Sequence, residues 1–320
     1  MEQYKIFIQK FQPMFLKDFE LNGELVNILN TLILIDNINI LFIGEMASGK
    51  TTLLNAIVRE YFKGYEVKQY EDNILYINNL KDQGIQYYRT DVKTFCQTSC
   101  GIKHKKKIII LDDIDLINEQ SQQSFVNCID KFSKNVLFLS SCTSIQRVVE
   151  SIQSRLNIIK IPNIESQNLF RIIEKIKISE NIDIDPEAEK FIIMISNNTI
   201  KIIINYMEKF KLLNEKITLD LAMKLCSNIS FHTFEQYTIF LKEKKLNAAI
   251  GLLNEIYDKG FSVMDILDNY FTFIKGSNSF TDDQKYNIVP YICKYITIFN
   301  NIHEDEIELA LFTNNLINII

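Results

Sequence analysis

Eight residues, GEMASGKT from Gly44 to Thr51, place two glycines, a lysine and a hydroxyl at the spacing GxxxxGK[ST], the pattern of a loop that cradles a polyphosphate. Gly44 and Gly49 permit backbone angles that side chains would forbid, so that consecutive N–H groups face phosphate oxygens, and the following helix adds its positive end. Lys50 is expected to reach the β and γ phosphates and Thr51 to ligate Mg2+, with Ala47, Ser48 and Thr52 completing the contacts to ATP. Farther on, KKKIIILDDID ends an apolar run in two carboxylates, the usual second half of such a site. Asp112 would hold the magnesium through water, and Asp113 would orient or activate the attacking water. The alternative is that the acidic pair ends a buried strand and solvates its tip. The basic run Lys103–Lys107 before it reads as a solvated loop, with contact to DNA as the alternative.

The elements around these residues are those the chemistry requires. Short apolar runs at Ile40–Ile43, Ile74–Ile77, Ile108–Leu111, Val136–Ser140 and Ile158–Ile161 predict strands. Helical periodicity marks Leu53–Phe62 and Ser121–Phe132 between them, and alternation of the two types predicts a parallel sheet covered on both faces, up to about residue 162. After Pro162 apolar residues fall at three- and four-residue spacing, as in Ala188, Phe191, Ile192 and Ile195, and no strand is expected. A further helical stretch begins near Phe231. There Leu246, Ala249, Ile250, Leu253, Ile256 and Tyr257 trace one face, Gly260 closes the helix, and Ser262 with Asp265 caps the next.

At 320 residues the chain is long enough for two or three domains, and 47% hydrophobic with 23% charged residues is the balance of a globular protein. A net charge of −5 excludes a protein that grips nucleic acid by overall charge; any contact needs local patches or partner subunits. Six cysteines without a CxxC pair read as free thiols in a reducing compartment. The N-terminal segment lacks a signal-peptide core, and Asn and Asp interrupt the apolar runs short of a membrane span, so the chain is expected to be soluble and intracellular. Its heavy use of Ile, Asn and Lys is that of an A+T-rich genome.

With these residues in place, the sequence resembles the small subunits of replication factor C, the clamp loader among AAA+ ATPases of eukaryotes, archaea and large DNA viruses. The likeness covers nearly the whole chain and is sharpest over LFLSSCTSIQRVVESIQSRL, Leu137 to Leu156. On that match Arg155 takes the place of the arginine that enters the adjacent subunit's ATP site, and Thr143 that of the sensor 1 residue, usually Asn. INNLKDQGIQYYRTDVKTF resembles the segment NASDERGIDVVR, with Gly84, Ile85, Arg89 and Lys93 in register, which makes Arg89 and Lys93 candidate contacts to the DNA backbone. QKFQPMFLKDF resembles the EKYRP segment beside the adenine, with Gln12 for the arginine, and SNNTIKIIINYM resembles the sensor 2 helix, with Lys201 for its arginine.

The resemblance implies an AAA+ nucleotide-binding domain with a parallel sheet over 1–162, a helical lid over 163–228 and an all-α collar over 229–320. It also implies a hetero-oligomeric, pentameric ring with other clamp-loader subunits, a sliding clamp and primer–template DNA as partners, no membrane, and work at sites of DNA replication in a nucleus or viral replication compartment. ATP held by Lys50, Thr51 and Asp112 of one subunit and an arginine of the next would join neighbours into an arc. The family usually has Asp-Glu where this chain has Asp112-Asp113. A catalytic group misplaced by about 1 Å can cost about a hundredfold, so ATP hydrolysis by the isolated subunit is expected to be weak. Other readings at this point are an origin-recognition or helicase-loading AAA+ ATPase, a scaffold that binds ATP without cutting it, and a small-molecule P-loop kinase, which would leave Arg155 and the long helical C-terminus unexplained.

Overall fold

Alternation within three apolar runs decides the architecture. Ile40 and Phe42 pack into one buried cluster and Leu41 into another; Ile108 and Ile110 part in the same way from Ile109 and Leu111, and Leu137 and Leu139 from Phe138. Successive side chains of a strand point to opposite faces, so runs without a polar residue demand cover on both sides. In a computed structural model of the chain, which describes residues 5–77, 85–162, 164–196, 198–226, 229, 231–277, 279–299 and 305–319, this demand is met. Strands β1 (Ile40–Ile43), β2 (Ile74–Ile77), β3 (Lys107–Leu111), β4 (Val136–Cys142) and β5 (Asn157–Lys160) form one parallel sheet in the order β2-β3-β4-β1-β5.

The five expected strands are all present, with ends displaced by a residue or two. Strand β4 runs on to Cys142, and Ile161, expected within β5, lies just past its end while still donating its N–H to Ile43 at 2.7 Å. One cluster is covered by the Lys50–Tyr61 helix through Leu53, Leu54, Ala56, Ile57, Val58 and Tyr61. The other is covered by the Glu119–Phe132 helix through Phe125, Val126, Cys128 and Ile129. That helix starts where Asn118 accepts the Ser121 N–H at 2.8 Å, which satisfies a donor the helix itself cannot. Register aligns Ile43 with Cys142 and Leu111 with Ser140, so β1, β3 and β4 bring their C-terminal ends to one crevice.

Residues 1–172 with 199–205 form one compact unit, and residues 173–198 with 206–320 form another. The second is helical. Its one departure among the described residues is an isolated bridge between Ile184 and Ile217. The Leu246–Asp258 helix is followed by Gly260 at φ 94°, and Ser262 and Asp265 make the expected reciprocal cap of Val263–Gly276. Aromatic rings of Phe234, Tyr237, Tyr270, Phe273 and Phe312 fill its interior.

The lysine run departs from expectation. Lys103 and His104 are exposed, but Lys105 donates to the Tyr61 carbonyl at 2.7 Å and lies 4.1 Å from the centre of the Tyr61 ring. Lys106 donates to the Asp36 carbonyl at 2.8 Å and pairs with its carboxylate at 3.0 Å, while Lys107 is buried and donates to the Phe95 carbonyl and the Thr98 hydroxyl. The run therefore braces the entry to β3. A cation can be drawn in this way when its stem packs on apolar surface and its head finds carbonyls. All six cysteines are free thiols, and no described helix is long and apolar enough to cross a membrane.

Tyr61 ties this brace together, donating to Asp36 at 2.6 Å and accepting the Lys106 N–H at 2.9 Å. Tyr61→Phe would strand both partners, and a loss of about 1–2 kcal/mol is expected from the midpoint of urea unfolding. Burial, then the bond to Asp36, raises the phenol above its ordinary value. A raised acid stabilises the fold below the unfolded-state value of about 10 and loses that contribution above it, so Tyr61→Phe should also make the alkaline fall in stability shallower.

Candidate nucleotide-binding and hydrolysis site

The loop between β1 and the Lys50–Tyr61 helix owes its shape to two different glycine properties. Gly49, at φ 87°, occupies the left-handed region as the residue preceding the helix, and Leu53 donates to its carbonyl at 2.9 Å to begin the helical ladder. Ala47 shares that region at φ 60°. Gly44 does not: its N–H donates to Cys142 at 3.3 Å, and a Cβ there would sit 2.8 Å from the Ser48 hydroxyl and 3.4 Å from Ile161. The expectation that both glycines serve backbone angles is corrected for Gly44, whose need is room.

Inside the loop the Lys50 side chain is only 7% exposed, and its ammonium donates to the Gly44 and Glu45 carbonyls at 2.8 Å each. An ammonium has three donors, so one is left for a phosphate oxygen. The Ser48 hydroxyl is buried with no partner. A buried polar atom without a bond is costly, and a bound phosphate oxygen would relieve it, so the loop fits the group its sequence pattern implies. Ala47 is exposed, and Thr52 is half-buried on the first helical turn.

Across the crevice, Thr51 donates to Asp112 at 2.6 Å, and the other oxygen of Asp112 accepts from the Ser141 hydroxyl on β4. A hydroxyl beside a carboxylate is a pair of hard oxygen donors of the kind Mg2+ takes while keeping its own waters. Asp113 bends into the left-handed region at φ 50° and donates its N–H to Ser141 at 3.0 Å. Burial first, then the charges of Asp112 and Asp115, raise its carboxyl above the usual range, while Lys50 opposes them.

Thr143 lies exposed just beyond β4. Its backbone is fixed by Asp115, one of whose oxygens accepts the N–H groups of Thr143 at 3.1 Å and Ser144 at 3.0 Å. The other Asp115 oxygen is buried without a partner. The buried amide of Gln122 shares its two N–H groups among the Ile114, Ile117 and Arg147 carbonyls and accepts from Val149 at 2.9 Å. The sequence reading did not single out Asp115, Ser141 or Gln122. Asp115 was visible as the third acid of LDDID, whereas a serine in a strand or a glutamine on a helix carries no comparable signal.

Arg155 stands outside this cluster. Its hydrogen bonds go to Asp130, Ser151 and Ser154, and none reaches the phosphate loop or the acidic pair. Arg89 ends the Ile85–Arg89 helix and Lys93 lies in Asp91–Gln97, both exposed, and both helices pack on Glu119–Phe132. Gly84, the first of the four residues in register, lies outside the described residues, and of Ile85 only the backbone is described. Lys201 is exposed on the first turn of the Ile200–Leu213 helix, and Gln12 is half-buried after Phe7–Lys10.

Residues 40–163, which carry the sheet, the loop, the acidic pair and Arg155, match the family model "ATPase family associated with various cellular activities (AAA)". This part of the chain is an AAA ATPase domain. Similarity extends well past it. Replication factor C subunit 4 of Arabidopsis thaliana is 27% identical over 292 residues, covering 88% of this chain and 85% of that one. The replication factor C small subunit of Sulfolobus acidocaldarius is 25% identical over 319 residues, covering 99% and 97%. A protein of Acanthamoeba polyphaga mimivirus carrying the same family name is 25% identical over 269 residues, covering 84% and 83%. Over most of its length the chain is thus similar to replication factor C small subunits. Among solved structures it shares its fold with the Thermotoga maritima RuvB Holliday junction branch migration motor, at TM-score 0.53 and 15% identity over 76% of this chain and 85% of that one. A DNA polymerase III gamma subunit-related protein of the same organism gives TM-score 0.51 at 15% identity over 91% and 97%.

Two substitutions separate binding from hydrolysis here. Gly44→Ala should lower ATP affinity by about threefold in a fluorescent-nucleotide titration, because the added Cβ turns the Ser48 hydroxyl away from its place in the loop. Asp115→Asn keeps the shape but weakens the acceptor of two N–H groups. It should slow steady-state hydrolysis by about tenfold or more while leaving that affinity within about twofold.

Proposed function

We propose that the chain is one subunit of a DNA clamp loader, which uses ATP binding and hydrolysis to open a sliding clamp and place it on primer–template DNA. The single observation that carries this reading is the separation of Arg155 from its own chain's phosphate loop and acidic pair. A guanidinium whose partners among the described residues are Asp130, Ser151 and Ser154 is available to a neighbouring subunit. Within one subunit, Gly44, Ala47, Ser48, Gly49, Lys50, Thr51 and Thr52 hold the triphosphate, and Thr51 and Asp112 hold Mg2+. Asp113 aligns the attacking water, Thr143 donates to it, and Lys201 approaches the phosphates from the lid. Bound ATP supplies the charge that joins this surface to an arginine of the adjoining subunit.

The reading divides the chain into a nucleotide-binding domain over 1–162, a lid over 163–228 and a collar over 229–320 that holds a hetero-oligomeric, pentameric ring. Contact with DNA is to the backbone through Arg89 and Lys93, which accommodates the net charge of −5 because only the inner surface of the ring needs to be basic. The chain would act where DNA is replicated, in a nucleus or a viral replication compartment. A second reading rests on Asp113: a carboxylate one methylene shorter than the family's usual Glu, set in left-handed backbone, favours a subunit that binds ATP mainly as adhesive.

The test is an assembly purified from the native source, with its companion subunits, clamp and primer–template DNA. Arg155→Ala should leave ATP binding by its own subunit intact and slow hydrolysis at the adjoining site by about a thousandfold. Loss of its own binding instead would contradict action across the boundary. Lys50→Ala should prevent nucleotide-dependent assembly, and an intact assembly inert at this chain's site would establish the adhesive reading.

A further inference from the structure

The Arg155 side chain is held in a defined pose by one acidic partner. Its Nε and Nη2 atoms donate to the two carboxylate oxygens of Asp130, the second at 2.9 Å, and Nη1 donates to the Ser151 carbonyl at 2.8 Å, with the Ser154 hydroxyl at 3.4 Å. A guanidinium has five N–H groups in a planar fork. Two of them meet Asp130 along one edge and the two on Nη1 meet Ser151 and Ser154, which leaves one N–H, on Nη2, for a phosphate oxygen. Bidentate pairing fixes the plane of the ring as well as its position, which a single bond does not.

The partner is itself on a rigid support. Asp130 lies in the last turn of the Glu119–Phe132 helix, and Gln123, one heptad earlier on the same face, accepts from the Ser151 hydroxyl at 3.3 Å. The short Glu150–Gln153 helix that precedes Arg155 is thus tied to that helix at two levels, by Gln123 and by the Arg155–Asp130 pair. Hydrogen bonding to Arg155 holds the Asp130 carboxyl below its usual range, so the partner stays ionised. The pair is exposed and would be a weak contributor to stability. The two helices are also joined by Ile152, buried in one cluster with Phe125, Val126 and Ile129, so the pair is not their sole attachment, which points to a role in orienting Arg155.

We propose that Asp130 is a positioning residue that pre-orients the Arg155 guanidinium for the triphosphate of the adjoining subunit. This rests on the reading of Arg155 as acting across the subunit boundary. A long side chain free to rotate must be ordered at the moment of reaction, and one already held spends none of its binding energy on that ordering. Asp130 acts on the rate of the neighbour's hydrolysis through Arg155, without touching nucleotide.

The experiment is a double-mutant cycle in the complete assembly with clamp and primer–template DNA, using Asp130→Ala, Arg155→Ala and the double variant, with Asp130→Glu as the conservative control. Asp130→Ala is expected to lower kcat at the adjoining site by about tenfold with KM for ATP unchanged, Asp130→Glu to restore part of the rate, and the double variant to be no slower than Arg155→Ala. Thermal melts of the variant chains serve as the folding control. If Arg155→Ala slows the neighbour while Asp130→Ala does not, the positioning inference is overturned and the trans-acting arginine stands. A faster Asp130→Ala assembly would show that the acid sequesters Arg155, also overturning it. If Arg155→Ala itself has no effect on the neighbour, the functional reading beneath the inference fails first.

Discussion

The hydrogen bond from Thr51 to Asp112 joins residues 61 positions apart, and it forms only because β1 and β3 flank β4 in a parallel sheet with their C-terminal ends level. Ser141, on β4 between them, completes a relay by donating to Asp112 and accepting from the Asp113 backbone. A slip of one residue in any of these pairings would turn the strand's side chains to the opposite face and break the relay. The buried isoleucines and leucines of the sheet therefore do more than stabilise it. By enforcing register on two covered faces, they bring the Gly44–Thr51 loop, the acidic pair and the end of β4 to a common edge.

Most polar groups withdrawn from water at that edge have partners, and three buried side-chain oxygens, on Ser48, Asp115 and Ser140, do not. Lys50 is buried yet bonded to two carbonyls of its own loop, which keeps the loop closed around it. Asp115 accepts two N–H groups with one oxygen and leaves the other bare, and the Ser48 hydroxyl is bare as well. Unpaired buried atoms are expensive in an interior of low dielectric, and they are tolerated where function requires them. The raised carboxyl of Asp113 has the same origin: burial and neighbouring carboxylates disfavour its charge, with Lys50 the compensating influence.

Elsewhere charge is spent on architecture. Lys105, Lys106 and Lys107 look in the sequence like a basic loop, yet they bind carbonyls, a tyrosine ring and Asp36 at the entry to β3. The result removes most of the densest basic run from the list of possible DNA contacts. Arg89 and Lys93, exposed on helices that pack against Glu119–Phe132, are placed on the same structural frame as Asp130 and Gln122. One helix thus touches the acidic-pair loop at its start and Arg155 at its end, about 12 Å apart at the rise of an α-helix.

The sequence by itself determined the features that depend on a few neighbouring residues. The phosphate loop follows from the types and spacing of Gly44 to Thr51, the five strands from apolar runs between turn residues, and the Ser262–Asp265 cap from two side chains three apart. Each is a local pattern with one low-energy conformation, so local reasoning suffices. Tertiary structure alone decided which distant groups meet. Asp115 reaches Thr143 across 28 residues, Arg155 finds Asp130 across 25, and Gly44 lies outside the left-handed region with the Ser48 hydroxyl close to where a side chain would begin. Such pairings depend on strand register and helix docking, which emerge only when the whole core packs. A lysine that braces and a lysine that is solvated are the same letter until that packing places a carbonyl beside one of them.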